Sequence, residues 1–158
     1  MFIKPDYNLK NVYEIDFEEL KSNGIKCLMF DLDSTVMRSK TSTFLPETLD
    51  WFKGFMNDFE VAIVSNNKNE NYINSAQSQI PCRVIGKANK PNPKVMLEYL
   101  KSVNISPEHA VMIGDRPLTD IVAGKLSGCK TILVGSINPH ENIPTKIVRA
   151  LERSVIKK

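Results

Sequence analysis

The chain has 158 residues, of which 42% are hydrophobic and 25% charged, and a formal net charge of +3. That balance fits one globular domain with a sizeable core and argues against large-scale disorder. So small a charge, with no run of Lys/Arg interleaved with aromatic residues, gives no nucleic-acid footprint.

The first 24 residues read as an irregular lead-in with a short helix around "DFEELKS". From there short apolar runs alternate with segments of helical period. The runs are Cys27 to Phe30, Val61 to Val64, Val84-Ile85, Val111 to Ile113 and Thr131 to Val134. Each is continuous rather than alternating, as expected for parallel strands covered on both faces. Between them stand helical candidates. "PETLDWFKGFMN" opens with Pro46, "NENYINSAQSQ" follows the second run, and "NPKVMLEYLKSV" has Pro93 near its start. "PLTDIVAGKLSG" closes with Gly128 as a C-cap. Trp51 and Tyr99 fall on apolar helix faces and read as core. Residues 143–158, "IPTKIVRALERSVIKK", read as a last amphipathic helix, expected to pack on the sheet with its basic face solvated, the alternative being that this face lies on anionic lipid. The rhythm implies an α/β, Rossmann-like three-layer domain over residues 1–158, with a parallel sheet of about five strands.

Cys27, Cys82 and Cys129 are scattered without C-x-x-C spacing, so they read as reduced core thiols of an intracellular protein. His109 and His140 lie far apart, which gives zinc little to work with, and neither is assigned a role. The start "MFIKPDYNLK" lacks the apolar h-region of a signal peptide, and no apolar run nears the roughly 18 residues of a membrane span. A cytoplasmic protein without a transmembrane segment is expected, able to reach a membrane only from its surface. The oligomeric state stays open.

In an open parallel sheet, ligands bind beyond the carboxyl ends of the strands. The first run ends in Asp31 and Asp33, the second in Ser65-Asn66-Asn67. Lys87 and Lys90 follow the third, and the fourth ends in Gly114-Asp115, with Asp120 five residues on. Carboxylates at that density suit Mg²⁺ better than zinc. Asp31 and Asp33 about 4 Å apart would repel by roughly 4 kcal/mol at an effective dielectric of about 20. A cation near Asp31 and Asp115 relieves that repulsion, and a partly protonated neighbour is the acid a leaving group needs. Lys90 and Ser65 then need an anion to hold. Phosphate is the group that binds Mg²⁺ through oxygen and also takes Lys and Ser donors. A dinucleotide-binding domain is excluded, because the turn after the first strand, "DLDSTVM", has no glycine. Asn66 and Asn67 read as turn residues whose backbone N–H groups can help hold phosphate. For Arg116, substrate contact and plain surface charge stand side by side.

The order Asp-x-Asp-x-Thr, a strand ending in Ser, Lys-Pro, then Gly-Asp-x-x-x-x-Asp resembles the haloacid dehalogenase (HAD) superfamily. A nearer resemblance is to its subfamily IIIA phosphatases of the YqeG type, which include phosphatidylglycerophosphate phosphatases. "DLDST", "VAIVSNN", "ANKP" and "GDRPLTDIVAGKLSGCKTILV" carry it. The departures are Ser34, where many relatives have Asn, and Arg116, where many have Gln. The resemblance implies that Asp31 is a nucleophile that forms an aspartyl-phosphate. It implies that Asp33 protonates the leaving oxygen and later activates water, while its backbone carbonyl binds Mg²⁺. Ser65 and Lys90 would hold the phosphoryl oxygens; Asn66 and Arg116, read from their positions rather than from the resemblance, are the further candidate substrate contacts. Asp115 would ligate Mg²⁺, and Asp120 would act through a metal-bound water or by positioning Lys90; Lys87 is the alternative lysine.

Relatives acting on small metabolites commonly carry a cap domain between the first and second motifs or between the second and third. Residues 36–60 and 66–89 leave no room for one. An open site suits a phosphate presented by something large, and the expected substrate is phosphatidylglycerophosphate at a membrane surface. The alternatives are a phosphatase of sugar phosphates, nucleotides or phosphoproteins, and a non-catalytic phosphate- or lipid-binding protein of the same fold.

Overall fold

A computed structural model describes residues 3–138 and 153–156. The strands are β1 (Tyr7–Leu9), β2 (Cys27–Phe30), β3 (Glu60–Val64), β4 (Arg83–Ile85), β5 (Ala110–Gly114) and β6 (Lys130–Val134). Among them run α1 (Phe17–Ser22), α2 (Pro46–Lys53), α3 (Glu70–Gln77), α4 (Lys94–Ser102) and α5 (Val122–Ser127). Every pairing is parallel, in the order β1-β6-β5-β2-β3-β4. The five runs of the sequence all form strands, but the sheet has six. The sixth, β1, comes from the lead-in and pairs with β6 from Tyr7↔Ile132 to Leu9↔Val134. Its three residues are half-buried or exposed and carry no apolar run, so only a partner more than a hundred residues away makes it a strand.

The continuous apolar runs are explained by two cores, one on each face of the sheet. Successive strand residues point to opposite faces. Leu28, Phe30, Val61, Ile63, Val111, Ile113 and Ile132 pack on one face with Leu20 of α1, Phe52 of α2 and Ala76 of α3. Cys27, Met29, Ala62, Val64, Ala110 and Met112 pack on the other with Met96, Tyr99 and Leu100 of α4 and Ala123 of α5. The first core is aromatic: the Phe30 ring meets Phe52 edge-on at 5.3 Å, and Trp51 lies 5.8 Å from Phe30. Tyr99 is buried and donates its hydroxyl hydrogen to Glu60 at 3.0 Å. All three cysteines are free and buried, and burial pushes the Cys27 thiol up to about 12, far from a reactive thiolate.

Two local features set up the site. The segment expected as one helix from Pro117 opens instead with a π-helical turn, Pro117–Ile121, before α5. Such wide turns recur at functional positions, and this one carries Asp120. Gly128 ends α5 at φ 83°, the left-handed C-cap the sequence predicts. Between β2 and β3 the chain forms one helix, α2, and between β3 and β4 it forms one helix, α3; neither span holds a cap. The expected last helix, 143–158, lies outside the described residues except for 153–156. There Ile3 N–H donates to the Val155 carbonyl at 2.8 Å. Arg153 donates to the Val134 carbonyl at the end of β6, also at 2.8 Å.

Candidate active site

From β2 the chain runs outward to β3 and β4, then returns to the other side of β2 as β5. The strand order therefore reverses between β2 and β5, the crevice where such sheets bind ligands. Phe30 pairs with Ile113, and the Asp31 N–H donates to the Ile113 carbonyl at 2.9 Å. Asp31 and Asp115 thus emerge side by side from the two strands at the switch. Asp31, Asp115 and Asp120 each bring a carboxylate oxygen within 4.8 Å of the others, a set of hard donors that suits a divalent cation.

The ammonium among them belongs to Lys90. Its Nζ lies 2.8 Å from Asp31 Oδ1 and 2.7 Å from Asp120 Oδ1, with the Lys90 side chain only 1% exposed. Burial disfavours its charge, but Asp120 and Asp31 outweigh that penalty and hold the Lys90 pKa above the ordinary lysine range. Lys87 instead pairs at the surface with Glu70 at 3.3 Å. Asp120 stands in that acid cluster and also grips Lys90: Oδ1 meets the ammonium and Oδ2 accepts the Arg116 N–H at 3.1 Å. A Cβ at Gly114 would overlap the Asp120 side chain, so the glycine of Gly-Asp lets that carboxylate fold over the strand end. Burial, then the Asp31 charge, raise the Asp120 pKa to about 6 against the pull of Lys90, which it shares with Asp31.

The Lys90 backbone is clamped by Asn66. The Asn66 carboxamide oxygen accepts the Lys90 N–H at 2.7 Å, and its NH₂ donates to the Lys90 carbonyl at 2.9 Å. The Asn66 side chain is therefore occupied in presenting the lysine, which leaves its backbone N–H as the group expected to help hold phosphate. Ser65 is buried and its Oγ accepts the Asn67 N–H at 3.0 Å, which leaves the hydroxyl proton to be donated. Arg116 is exposed and meets Asp120 through its backbone, accepting the Asp120 N–H at 2.8 Å.

Two residues enter that sequence reasoning gave no role. Thr35, four residues past Asp31, donates its hydroxyl to Asp115 Oδ1 at 3.0 Å and lies 3.5 Å from Asp31 Oδ2. It joins the two acids across the switch, and its only signal was its place at the end of Asp-x-Asp-x-Thr. Tyr72, from α3, donates its hydroxyl hydrogen to Asp33 Oδ1. Burial raises the Asp33 pKa, the Tyr72 hydrogen bond opposes that, and the Asp31 charge adds to it. Ser34 sits between these residues at φ 71°, and Ile137 N–H and Asn138 Nδ2 donate to its carbonyl and hydroxyl at 2.9 and 2.7 Å. Asn tolerates that backbone region better than Ser.

A cleft of about 290 Å³ opens between Asn67-Lys68, Ile73-Asn74 of α3 and Gly86-Lys87. Among the described residues no helix is long and apolar enough to cross a membrane.

A parallel sheet with acids, lysine and serine at its switch point defines a HAD-type phosphomonoester hydrolase, and the comparisons agree. A family model described as HAD-hydrolase-like matches residues 87–151. The chain is 31% identical over 156 residues to the probable phosphatase YqeG of Bacillus subtilis, covering 98% of this chain and 90% of that protein; it belongs to the HAD phosphatases of that type. It is also 26% identical over 168 residues to the chloroplastic/mitochondrial phosphatidylglycerophosphate phosphatase 1 of Arabidopsis thaliana. That match covers 99% of this chain but only 48% of the plant protein. The fold is shared with a HAD family enzyme of Bacteroides thetaiotaomicron solved with magnesium and inorganic phosphate. The TM-score is 0.57 at 13% identity, over 78% of this chain and 99% of that one.

Proposed function

We propose that the chain is a Mg²⁺-dependent phosphatase that works through an Asp31 phosphoenzyme and acts on phosphatidylglycerophosphate at a membrane surface, leaving phosphatidylglycerol. The observation that carries the reaction is Lys90 Nζ held 2.8 Å from Asp31 and 2.7 Å from Asp120 beside the buried Asp115 and Ser65. A buried ammonium and a serine hydroxyl beside clustered acids match a tetrahedral dianion that arrives with a cation. Asp31 and Asp115, with the backbone carbonyl of Asp33, would hold Mg²⁺, and the HAD relative solved with magnesium and phosphate supports that choice. Bound there, the ion would quench the repulsion among the acids and polarise a phosphoryl oxygen.

An Asp31 oxygen attacks phosphorus, the ester P–O bond breaks, and the leaving oxygen takes a proton from Asp33. Water then attacks the phosphoryl group, its proton passes to Asp33, and Asp31 is released with inorganic phosphate. Lys90 and the Ser65 hydroxyl hold the non-bridging oxygens, while Thr35 fixes Asp31 against Asp115. The lipid rests on the plant relative and on the absence of a cap between β2 and β4. With no cap to exclude water, the substrate's own bulk does so.

The test is phosphate release from liposomal phosphatidylglycerophosphate against a panel of soluble phosphomonoesters, with Mg²⁺ and with EDTA. Mg²⁺-dependent preference for the lipid is expected. Preference for a soluble ester discards the lipid and keeps the mechanism, whereas no Mg²⁺-dependent turnover on any ester leaves a binding protein of this fold.

A further inference from the structure

The HAD motifs lie at strand ends and assign nothing to α3, yet α3 sends one side chain into the site. Its N-cap, Asn69, accepts the Tyr72 N–H at 3.1 Å and fixes the first turn. From there Tyr72, Ser75 and Gln79 follow at i, i+3 and i+7, along one side of the helical path. All three face the loop that closes over Asp33. Ser75 Oγ and Gln79 Nε2 donate to the Ser42 carbonyl at 3.2 and 2.7 Å, and Gln79 Oε1 accepts the Phe44 N–H at 2.9 Å. The loop needs such anchoring, because Lys40 and Ser42 both hold left-handed backbone, at φ 64° and 52°. Tyr72 alone of the three ends on a carboxylate, Asp33 Oδ1, which the Lys40 backbone of the loop also meets.

We propose that Tyr72 is a positioning residue for proton transfer by Asp33: its phenol occupies Oδ1 and thereby aims Oδ2 at the leaving oxygen. This rests on the reading of Asp33 as the acid and base of the reaction. In the first half-reaction the proton on Oδ2 moves to the leaving oxygen as the ester P–O bond breaks, and the negative charge that appears on Asp33 is met by the phenol O–H. In the second, Oδ2 accepts a proton from the water that attacks the aspartyl-phosphate, and Asp31 leaves as carboxylate. A carboxyl group free to rotate would present either oxygen at varying angles, and proton transfer depends on that geometry. A hydrogen bond to an ionised partner is among the stronger ones. The phenol therefore matters most when Asp33 carries charge.

The variant is Tyr72→Phe, which keeps the ring and removes the hydroxyl, assayed with two soluble esters and excess Mg²⁺. With an alkyl phosphate, whose alkoxide must be protonated, kcat falls about 10- to 100-fold while KM stays within about twofold. With p-nitrophenyl phosphate the leaving phenolate needs no proton, so the first step runs near the wild-type rate. The second still needs Asp33 as base. An initial burst of nitrophenolate and accumulation of acid-trapped phosphoenzyme are expected, both well above the wild-type level. Gln79→Ala, which loosens the loop and keeps the phenol, should show no accumulation. Equal losses on both esters without phosphoenzyme build-up would overturn the proposal and reduce Tyr72 to a helix-docking contact. Unchanged or faster turnover in Tyr72→Phe would overturn it too. Wild-type protein that turns over neither ester nor liposomal phosphatidylglycerophosphate, or Asp33→Asn protein that keeps full activity, would remove the underlying reading as well, so the two failures are told apart.

Discussion

Phe30 and Asp31 are neighbours in the chain and belong to opposite kinds of construction. Phe30 ends β2 in an aromatic layer with Phe52, Phe55 and Trp51, with ring centroids 5.3 to 6.0 Å away. Asp31 begins a polar cluster in which Lys90, Asp115 and Asp120 are as buried as the aromatics. Burying an aromatic ring stabilises the fold by leaving water, and its loss is felt as a cavity. Burying three carboxylates and an ammonium is stabilising only while each charge keeps its partner. One layer therefore holds the molecule together, and the layer a single residue above it spends stability on holding reactive groups in place.

The sharpest way to break that contrast is Lys90→Met, which keeps the volume and leaves Asp31 and Asp120 facing each other. Turnover should vanish, and metal-free protein should lose about 3–5 kcal/mol, the usual penalty for breaking a buried pair from one side. Urea denaturation checks the second figure. Phe52→Ala acts on the other layer. Phe52 is 1% exposed, and its truncation should also lower unfolding stability by about 3–5 kcal/mol. The remaining folded enzyme should keep kcat within about twofold, measured at a temperature where the variant is still native. The smallest effect is in pH dependence. Asp120 has a pKa near 6 in the folded protein, against the 3.8 of its ordinary state. Between about pH 4 and 6 the folded state holds that proton more tightly than the unfolded chain. This group therefore makes stability fall as pH rises through the window. In EDTA, Asp120→Asn should show a flatter melting temperature from pH 4 to 6 than the wild type; an unchanged slope would contradict the assignment.

The same contrast explains what the sequence revealed. The four inner strands were readable because both faces are covered, so each appears as an unbroken apolar run such as "CLMF" or "AVMIG", and the edge strand β4 still shows its Val84-Ile85 pair. β1 was not, because "YNL" is a three-residue edge strand specified only by distant β6. Asp31, Ser65, Lys90, Asp115 and Asp120 were readable as chemistry because each follows a strand of known direction. Contacts set by side-chain reach were not. Nothing local says that the Asn66 carboxamide closes on the Lys90 backbone rather than on a ligand, or that Thr35 joins Asp31 to Asp115. Tyr72 reads as one more apolar position on α3 until the fold brings it to Asp33, 39 residues earlier in the chain.

The account stands on Asp31 as the atom that takes the phosphoryl group. The direct measurement is to mix wild-type protein with Mg²⁺ and a phosphate ester, quench during turnover, reduce with borohydride and map the peptides by mass spectrometry. Reduction of an aspartyl-phosphate at Asp31 alone is predicted, together with at least about a thousandfold loss of kcat in Asp31→Asn. Modification at another residue, or turnover that survives in Asp31→Asn, would contradict the account.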